Sequence, residues 1–447
     1  MGAAMADSSS PRSRLLRRPI DLGWARLRAP YATALGLCFA VLALRSHARL
    51  AQAHLWAEDG TVFLADALAH GFGATFLPYA GYLHVVPRLM AWGLSLLPIE
   101  AFALGLALLT LAVDAAVFAL IARAGYRWLV SHDGVRVLAA VALCFLPGTW
   151  EVMGNLANLH SVLFYGVMLV ALQDLERPLG LADAGVLLAA ASSSGEAVLL
   201  APVFLLRGAM RWRDGRPRRE VVMEALAAVA LTVPAGVNMV LFRQSGMPAS
   251  DFATWPLSRM AEHLWNTFNV RYVLYPVLGD GGTLSYFRRP LAVRILVACG
   301  FVAVLVLGLR RVPARPRALL LASCACVFLL IPLTWYVRAG SAEYPTFGAF
   351  RDPGVVEDRY MLFALPAGLL LWVAALARLR LSLAAGLCVC VWVLAFPRWS
   401  FEPWGPESDW ARTAHLIRVT RETSGAEAGV PINPTGWWIR VRAAPSR

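Results

Sequence analysis

"ADAGVLLAAASSSGEAVLLAPVFLL", residues 182–206, is the stretch that decides the fold. By length it would form one membrane-crossing helix, but its centre holds three serines, Gly195 and Glu196, which are costly to leave in lipid. The basic segment 207–220 and the preceding 174–181 both have the character of cytoplasmic loops, so the chain between them crosses an even number of times. We therefore predict two short helices that meet at Gly195, with Glu196 near the tip.

The whole chain has the composition of a polytopic membrane protein. Of its 447 residues, 59% are hydrophobic and 15% are charged, against roughly 25% charged in a soluble domain. The net charge of +13 comes from arginines clustered between apolar runs, as at 11–19, 207–220 and 310–317. Anionic lipid headgroups are sufficient partners for such loops. The charge therefore does not indicate a nucleic-acid partner.

Apolar runs predict an all-α polytopic membrane protein with about eleven transmembrane helices, the N-terminus in the cytoplasm and the C-terminus outside. Segment 182–206 contributes two of them as half-length helices. The other predicted spans are 31–48, 100–122, 136–150, 160–173, 222–242, 291–309, 318–337, 359–378 and 381–397.

These spans divide the chain into a cytoplasmic basic N-terminus (1–30), a transmembrane domain (31–397) and an extracytoplasmic tail (398–447). We expect interfacial helices in the first outer loop, 49–99, and expect 243–290 to lie outside. The N-terminus has signal-sequence features, but its apolar run is long and further spans follow, so a retained first span is predicted. All seven cysteines lie in apolar segments, which predicts neither a disulfide framework nor sulfur ligands for a metal.

Two adjacent carboxylates, Glu58 and Asp59, follow the first span in a chain that otherwise avoids acidic residues. A partly desolvated carboxylate at a membrane surface can take a proton from a hydroxyl or bind a cation. The alternative is a pair of solvated charges, or a helix start favoured by the dipole. Both interpretations are open at this point.

The next segment offers His84 and Arg88, four residues apart on one predicted helix face, to an anionic ligand. Pro87 would bend or break that helix, and Arg88 would alternatively meet lipid phosphate. Further on, the spacing of Glu151, Asn155 and Asn158 at i, i+4 and i+7 predicts a polar helix face suited to sugar hydroxyls. His160 is predicted to point away from that face.

Glu196 is a candidate because an ionisable group at membrane depth is functional by default; the alternative is a polar hairpin tip. Late in the chain, Arg338, Arg359 and Tyr360 fall on the predicted outer side, where the positive-inside rule does not explain arginine. Such arginines can form two parallel hydrogen bonds to a phosphate; alternatively they pair with Glu357 or Asp358. No P-loop, GxSxG, HExxH or dinucleotide-binding fingerprint occurs in a supporting context, so nucleotide-driven chemistry is not expected.

Assembled, these features resemble the membrane-embedded C-type (GT-C) glycosyltransferases. Three stretches carry the resemblance: "WAEDG" with Glu58 and Asp59, the helix pair in 182–206 before a basic loop, and "EDRYMLFALP" at 357–366. The resemblance implies transfer of a sugar from a polyprenyl-phosphate carrier to a cell-envelope acceptor at the outer face of a bacterial plasma membrane.

The resemblance implies that Asp59 or Glu58 is the base. It also implies that the acid of the first loop can bind a divalent cation. Arg359, with Arg338, His84 or Arg88, would hold the donor phosphate. The competing hypothesis is a transporter or lipid flippase with Glu196 on its path, and a third is a structural subunit without chemistry. An enzyme needs its carboxylates at one membrane face, whereas a transporter needs them along the membrane depth.

Overall fold

The computed structural model describes residues 29–146, 152–244, 256–268, 273–337, 364–395 and 409–443. Within these ranges the chain is predominantly α-helical, as predicted. The helices of the first half are α1 (Pro30–Arg45), α2 (His47–Ala51), α3 (Ala65–His70), α4 (Val85–Ser95), α5 (Ile99–Ala119), α6 (Asp133–Leu143), α7 (Leu159–Ala171), α8 (Leu181–Ala191) and α9 (Ala201–Arg213).

The second half continues with longer helices and ends in a short hairpin. Its helices are α10 (Arg218–Gln244), α11 (Leu257–Phe268), α12 (Tyr275–Phe287), α13 (Leu291–Leu309), α14 (Ala314–Val337), α15 (Ala364–Leu379), α16 (Leu381–Ala395) and α17 (Trp410–Glu422). The strands, in two antiparallel pairs, are β1 (Pro78–Tyr79) with β2 (Tyr82–Leu83) and β3 (Glu427–Ile432) with β4 (Trp437–Arg442). Shorter turns of helix include a π-helix at Asp59–Leu64 and 3₁₀ helices at Gly71–Phe76, Leu120–Ala122, Ala124–Tyr126 and Gly195–Leu200.

Three helices among the described residues are long and apolar enough to cross a membrane: Ile99–Ala122, Arg218–Gln244 and Leu291–Leu309. In the last two, most side chains are exposed although they are apolar. An apolar helix that is not buried in protein requires a non-aqueous surround, which supports association with a membrane. Five shorter apolar helices accompany them: Pro30–Arg45, Leu159–Ala171, Leu181–Ala191, Leu365–Leu379 and Leu381–Ala395.

The predicted break in 182–206 is confirmed. Helix α8 ends at Ala191, the backbone turns through Ser192–Ser194, and a 3₁₀ turn from Gly195 leads into α9. Pro202 lies in the first turn of α9, where a missing N–H costs nothing. Glu196 therefore lies at the tip of a helical hairpin.

Segment 243–290, which is predicted to lie on the outer side, contributes buried residues to the helix bundle. Its described part forms α11 and α12, and Val273, Leu274 and Tyr275 between them are buried. The indole of Trp372, midway along α15, donates to the carbonyl of Val273 at 2.9 Å. The apolar stretch around these residues is too short to register as a span, so hydropathy alone places it in a loop.

The residues that the structure describes form two hydrophobic cores. The larger one fills the helix bundle, and the smaller one joins the 55–67 segment and the start of α5 to the C-terminal residues 409–443. Those C-terminal residues form α17 and the β3–β4 hairpin, so the chain is not purely α-helical. In β4, Ile439 and Val441 are buried while Trp438, Arg440 and Arg442 are exposed, the two-residue period of a one-sided strand.

Candidate functional site

The two neighbouring acids face different surroundings. Asp59 is 1% exposed, and its Oδ1 accepts the backbone N–H groups of Leu156 at 2.9 Å and Ala157 at 3.3 Å. Glu58 is partly exposed, and its Oε1 accepts the hydroxyl of Tyr79 at 3.4 Å. Burial raises the pKa of Asp59 to about 7, against the lowering effect of the Arg49 charge. Of the pair, Glu58 is the one that is partly exposed and is not bound by backbone N–H groups of the described residues.

The helix-start interpretation of the pair is half right. A π-helix does begin at Asp59, but the side chain of Glu58 at its N-cap makes no capping hydrogen bond. Just before it, Ala57 has φ +43°, a conformation that L-residues rarely adopt. Surrounding contacts must hold such a residue in place, and it sets the direction in which the two acids leave the backbone.

A second buried carboxylate, Asp114 on α5, holds the same loop that Asp59 holds. Its Oδ2 accepts the N–H of Gly154 at 3.2 Å, while Arg49 donates to the Gly154 carbonyl at 2.6 Å. The loop at 152–158 is thus held at one point by Asp114 and Arg49, and at the next by Asp59. Neither Asp114 nor Arg49 is among the residues predicted from the sequence. The signal that would have found Asp114 is an ionisable residue within the apolar run Ile99–Ala122.

The predicted polar helix face at 151–158 is wrong over its described part. Residues 152–158 form turns, and α7 begins only at Leu159. Gly154 has φ +74°, and the Asn155 side chain accepts the N–H of Asn158 at 3.2 Å. Asparagine side chains that bond to nearby backbone compete with helical hydrogen bonds. Asn155 and Asn158 are therefore buried loop residues that hold a turn.

His84 and Arg88 do not act on a shared ligand face. Helix α4 starts directly after His84, so Pro87 lies in its first turn and does not break it. Arg88 is 1% exposed and donates to Asp66 Oδ2 at 2.8 Å, with its guanidinium 5.5 Å from the Phe63 ring centre. This ion pair holds α4 onto α3, and it leaves the buried guanidinium of Arg88 paired within the protein.

His84 instead belongs to a group of four rings in tilted and edge-to-face contact. We call this group the Tyr–His cluster: Tyr79, Tyr82, His84 and His160. The His84 ring centre lies 4.2 Å from Tyr82, 5.8 Å from Tyr79 and 6.0 Å from His160. Burial, then the charges of His160 and Arg88, lower the pKa of His84 to about 3. Neither ring nitrogen of this neutral, buried imidazole has a hydrogen-bond partner among the described residues.

Glu196 closes the other side of the Tyr–His cluster. Its Oε2 lies 3.6 Å from Nδ1 of His160 and accepts the Ser194 hydroxyl at 2.9 Å. The cluster is therefore flanked by two partly exposed carboxylates, Glu58 beside Tyr79 and Glu196 beside His160. From the sequence, His160 is predicted to point away from a polar helix face at 151–158. In the structure its ring lies against Tyr82 and His84.

Three separate segments are fixed to one another at this cluster. The N–H of Leu83 donates to the Asn238 side chain on α10 at 3.0 Å, and the N–H of Val86 donates to the Ser193 hydroxyl at 2.9 Å. Ser193, one of the three serines that interrupt 182–206, thus bonds the start of α4 to the hairpin tip. The polar side chain that argues against a single membrane span thus makes a hydrogen bond between two segments.

The C-terminal hairpin packs against the acidic stretch from the other side. The N–H of Ala57 donates to the carbonyl of Asn433 at 2.6 Å. A Cβ on Gly60 would lie 2.6 Å from Cδ1 of Ile432, so an added methyl group would have to displace that side chain. The backbone that presents Glu58 is therefore held by residues almost 400 positions later in the chain.

Four candidate residues lie outside the described ranges: Glu151, Arg338, Arg359 and Tyr360. Within the described ranges, no group of three or more His, Cys, Asp or Glu side chains is arranged to hold a metal ion. The described part of the site therefore consists of carboxylates, tyrosines and imidazoles.

No protein-family model, curated protein or solved structure matches this chain. Its function is consequently argued from the residues of the site.

Proposed function

We propose that the protein is a glycosyltransferase that moves a sugar from a polyprenyl-phosphate donor to a cell-envelope acceptor at the outer face of a bacterial plasma membrane. The observation that carries the proposal is the Tyr–His cluster between Glu58 and Glu196. Tyrosine rings stack on sugar rings, and carboxylates and imidazoles bond to hydroxyls. The cluster thus offers apolar and polar contacts of the kinds that a sugar needs.

Glu58 is the proposed base, and Asp59 positions it. The carboxylate of Glu58 takes the proton of the acceptor hydroxyl, whose oxygen then bonds to the anomeric carbon of the donor sugar. The bond from that carbon to the phosphate oxygen breaks, and the phosphate leaves with the electron pair. Asp59 is occupied by two backbone N–H groups and does not face a ligand.

Neutral His84 is proposed to bind a hydroxyl of the sugar. A neutral imidazole donates from one ring nitrogen and accepts at the other, and a hydroxyl supplies both complements. Because its pKa is lowered to about 3, His84 stays neutral at physiological pH and does not serve as a phosphate-binding cation.

Arg359 and Arg338, with Tyr360, remain the proposed ligands of the donor phosphate. Arginine stabilises the charge that the leaving phosphate gains. This arrangement goes with the proposed topology of eleven spans, with the N-terminus in the cytoplasm and the C-terminal tail outside. In that topology Glu58, Glu196 and the C-terminal hairpin share the outer face.

The test uses a deletion strain complemented with the native gene, Glu58→Gln or Glu100→Gln. Mass spectrometry then measures envelope glycans and lipid-linked sugars. We expect deletion and Glu58→Gln to lose one glycan and accumulate its lipid-linked donor. Glu100→Gln removes an exposed carboxylate that pairs with Arg418, and should restore the glycan.

Full restoration by Glu58→Gln would reject the base assignment. The flippase hypothesis predicts a different result: a lipid-linked substrate stranded on one leaflet, with sugar transfer intact once the membranes are opened. A deletion strain with unchanged glycans and lipid-linked sugars would reject both functions.

A further inference from the structure

Three helices end or begin at the end of the bundle opposite the Tyr–His cluster. Helix α10 begins at Arg218, and α13 and α15 end at Leu309 and Leu379. Arg315 forms an ion pair with Asp214, which joins the loop before α10 to the start of α14. A Cβ on Gly308 would lie 2.4 Å from the carbonyl oxygen of Ala375, so α13 and α15 touch near their ends.

Most of the described carboxylates at this end are paired with arginine. Glu224 is buried between Arg207, at 3.0 Å, and Arg211, at 2.8 Å. Arg211 also pairs with Glu220 at 2.5 Å. The remaining acid pairs here are Glu176 with Arg216 and Asp214 with Arg315.

Several arginines are left without an anion. Their guanidinium groups are exposed and make no ion pair or hydrogen bond with any other residue that the structure describes. Like charges at one end of a protein repel one another, and an anionic partner relieves that repulsion. These arginines, which we call the basic end, are Arg213, Arg218, Arg219, Arg310, Arg311 and Arg380.

Two observations show what kind of partner the basic end meets. Arg218 and Arg219 begin one membrane-capable helix, and Arg310 and Arg311 directly follow another, so these four lie where a bilayer's headgroups would be. Beside Arg213, the indole of Trp212 is 69% exposed. Exposed tryptophan next to arginine at a span end is characteristic of the membrane–water interface.

We propose that the basic end is a binding site for the phosphate headgroups of anionic phospholipids. The headgroups would supply the negative charges that this end lacks and hold the ends of α10, α13 and α15 against one another. The proposal concerns lipid bound around the bundle and is independent of the proposed sugar transfer.

The test is native mass spectrometry of the purified full-length protein with phosphatidylglycerol or phosphatidylcholine. Each arginine near an anionic surface contributes about fivefold to binding. We expect the native protein to retain phosphatidylglycerol in preference to phosphatidylcholine. Arg310→Gln/Arg311→Gln should weaken that retention by about 25-fold, and added salt should weaken it in the native protein.

Two further variants keep the result interpretable. Arg310→Lys/Arg311→Lys preserves both charges and should keep most of the retention, which separates lost charge from lost folding. Arg412→Gln/Arg440→Gln removes two exposed arginines from the C-terminal residues and should bind like the native protein.

Equal retention of the two lipids by the native protein would overturn the proposal. So would an equal loss in the Arg412/Arg440 control. Competition of the bound lipid by inorganic phosphate alone, at equal phosphate concentration, would identify a general anion site and would also overturn it.

Discussion

The carboxylate of Asp59 accepts the backbone N–H of Leu156, 97 positions later in the chain, at 2.9 Å. This hydrogen bond ties the π-helix at Asp59–Leu64 to the loop before α7. The neighbouring acid, Glu58, faces the Tyr–His cluster, where it accepts the hydroxyl of Tyr79. Two adjacent acids of similar chemistry are thereby separated into an anchor, Asp59, and the proposed base, Glu58.

Removing the anchor should destabilise the fold, whereas removing Glu58 should not. Asp59→Ala leaves two buried N–H groups unsatisfied, at about 1–3 kcal/mol each. Glu58→Ala removes a partly exposed side chain and should change the free energy of unfolding by about 0.5 kcal/mol or less. Unfolding of the purified variants in detergent, followed by tryptophan fluorescence, measures both. Equal losses would contradict the division of roles.

The stability of the native protein should depend on pH through Asp59. Its pKa is raised in the folded state, to about 7, above the 3.8 of the free side chain. Between these values the folded state binds more protons than the unfolded state, so stability is greatest below about pH 4 and is lost as pH rises toward 7. The change amounts to as much as about 4 kcal/mol.

Asp59→Asn is the control for this titration, since an amide does not ionise. We expect the stability of the native protein relative to Asp59→Asn to rise as the pH falls from 7 to 4. Parallel pH profiles for the two proteins would show that another group is responsible.

Two glycine substitutions should act in opposite directions. Gly60→Ala forces a methyl group against Ile432 and should destabilise the packing of the C-terminal hairpin by about 1–3 kcal/mol. Gly93→Ala, in α4, has open space around the new methyl group and should stabilise by about 0.5–1 kcal/mol. Proteolysis of the C-terminal residues should accelerate in the first variant alone; unchanged cleavage of Gly60→Ala would contradict the predicted contact.

The buried ion cluster between α9 and α10 should be far more sensitive than a surface pair. Glu224→Gln leaves Arg207 and Arg211 buried with reduced compensation and should cost about 3–5 kcal/mol. Glu100→Gln breaks an exposed pair with Arg418 and should cost about 1 kcal/mol or less. The comparison is made in the same detergent by chemical unfolding. Similar costs would mean that water reaches Glu224.

His84→Phe should separate ligand binding from folding. It replaces two unpartnered ring nitrogens with carbon in a setting already formed by Phe63 and Tyr82, so stability should not fall. If His84 binds a sugar hydroxyl, KM for the donor should rise by about five- to tenfold, the loss of one hydrogen bond. An unchanged KM in a folded variant would remove His84 from the binding site.

Much of the architecture follows from the sequence alone. Hydropathy, together with the arginine-rich loops, determines the broken helix pair in 182–206 and the approximate bounds of most helices, because burial of apolar surface and placement of charge act over short stretches of chain. The same local rules explain why Glu58 and Asp59 stood out, since paired acids are conspicuous in an apolar chain.

Other features depend on contacts between distant residues and were decided only by the tertiary structure. Local sequence gives Glu58 and Asp59 equal claims, and the N–H groups of Leu156 and Ala157 distinguish them. From the sequence Arg88 is a plausible phosphate ligand, but in the structure it pairs with Asp66. Val273 lies in the bundle because Trp372 and its neighbours bury it. The physical reason is common to all three: desolvation and hydrogen-bond pairing are set by what surrounds a group in space, and a local pattern carries no information about partners a hundred residues away.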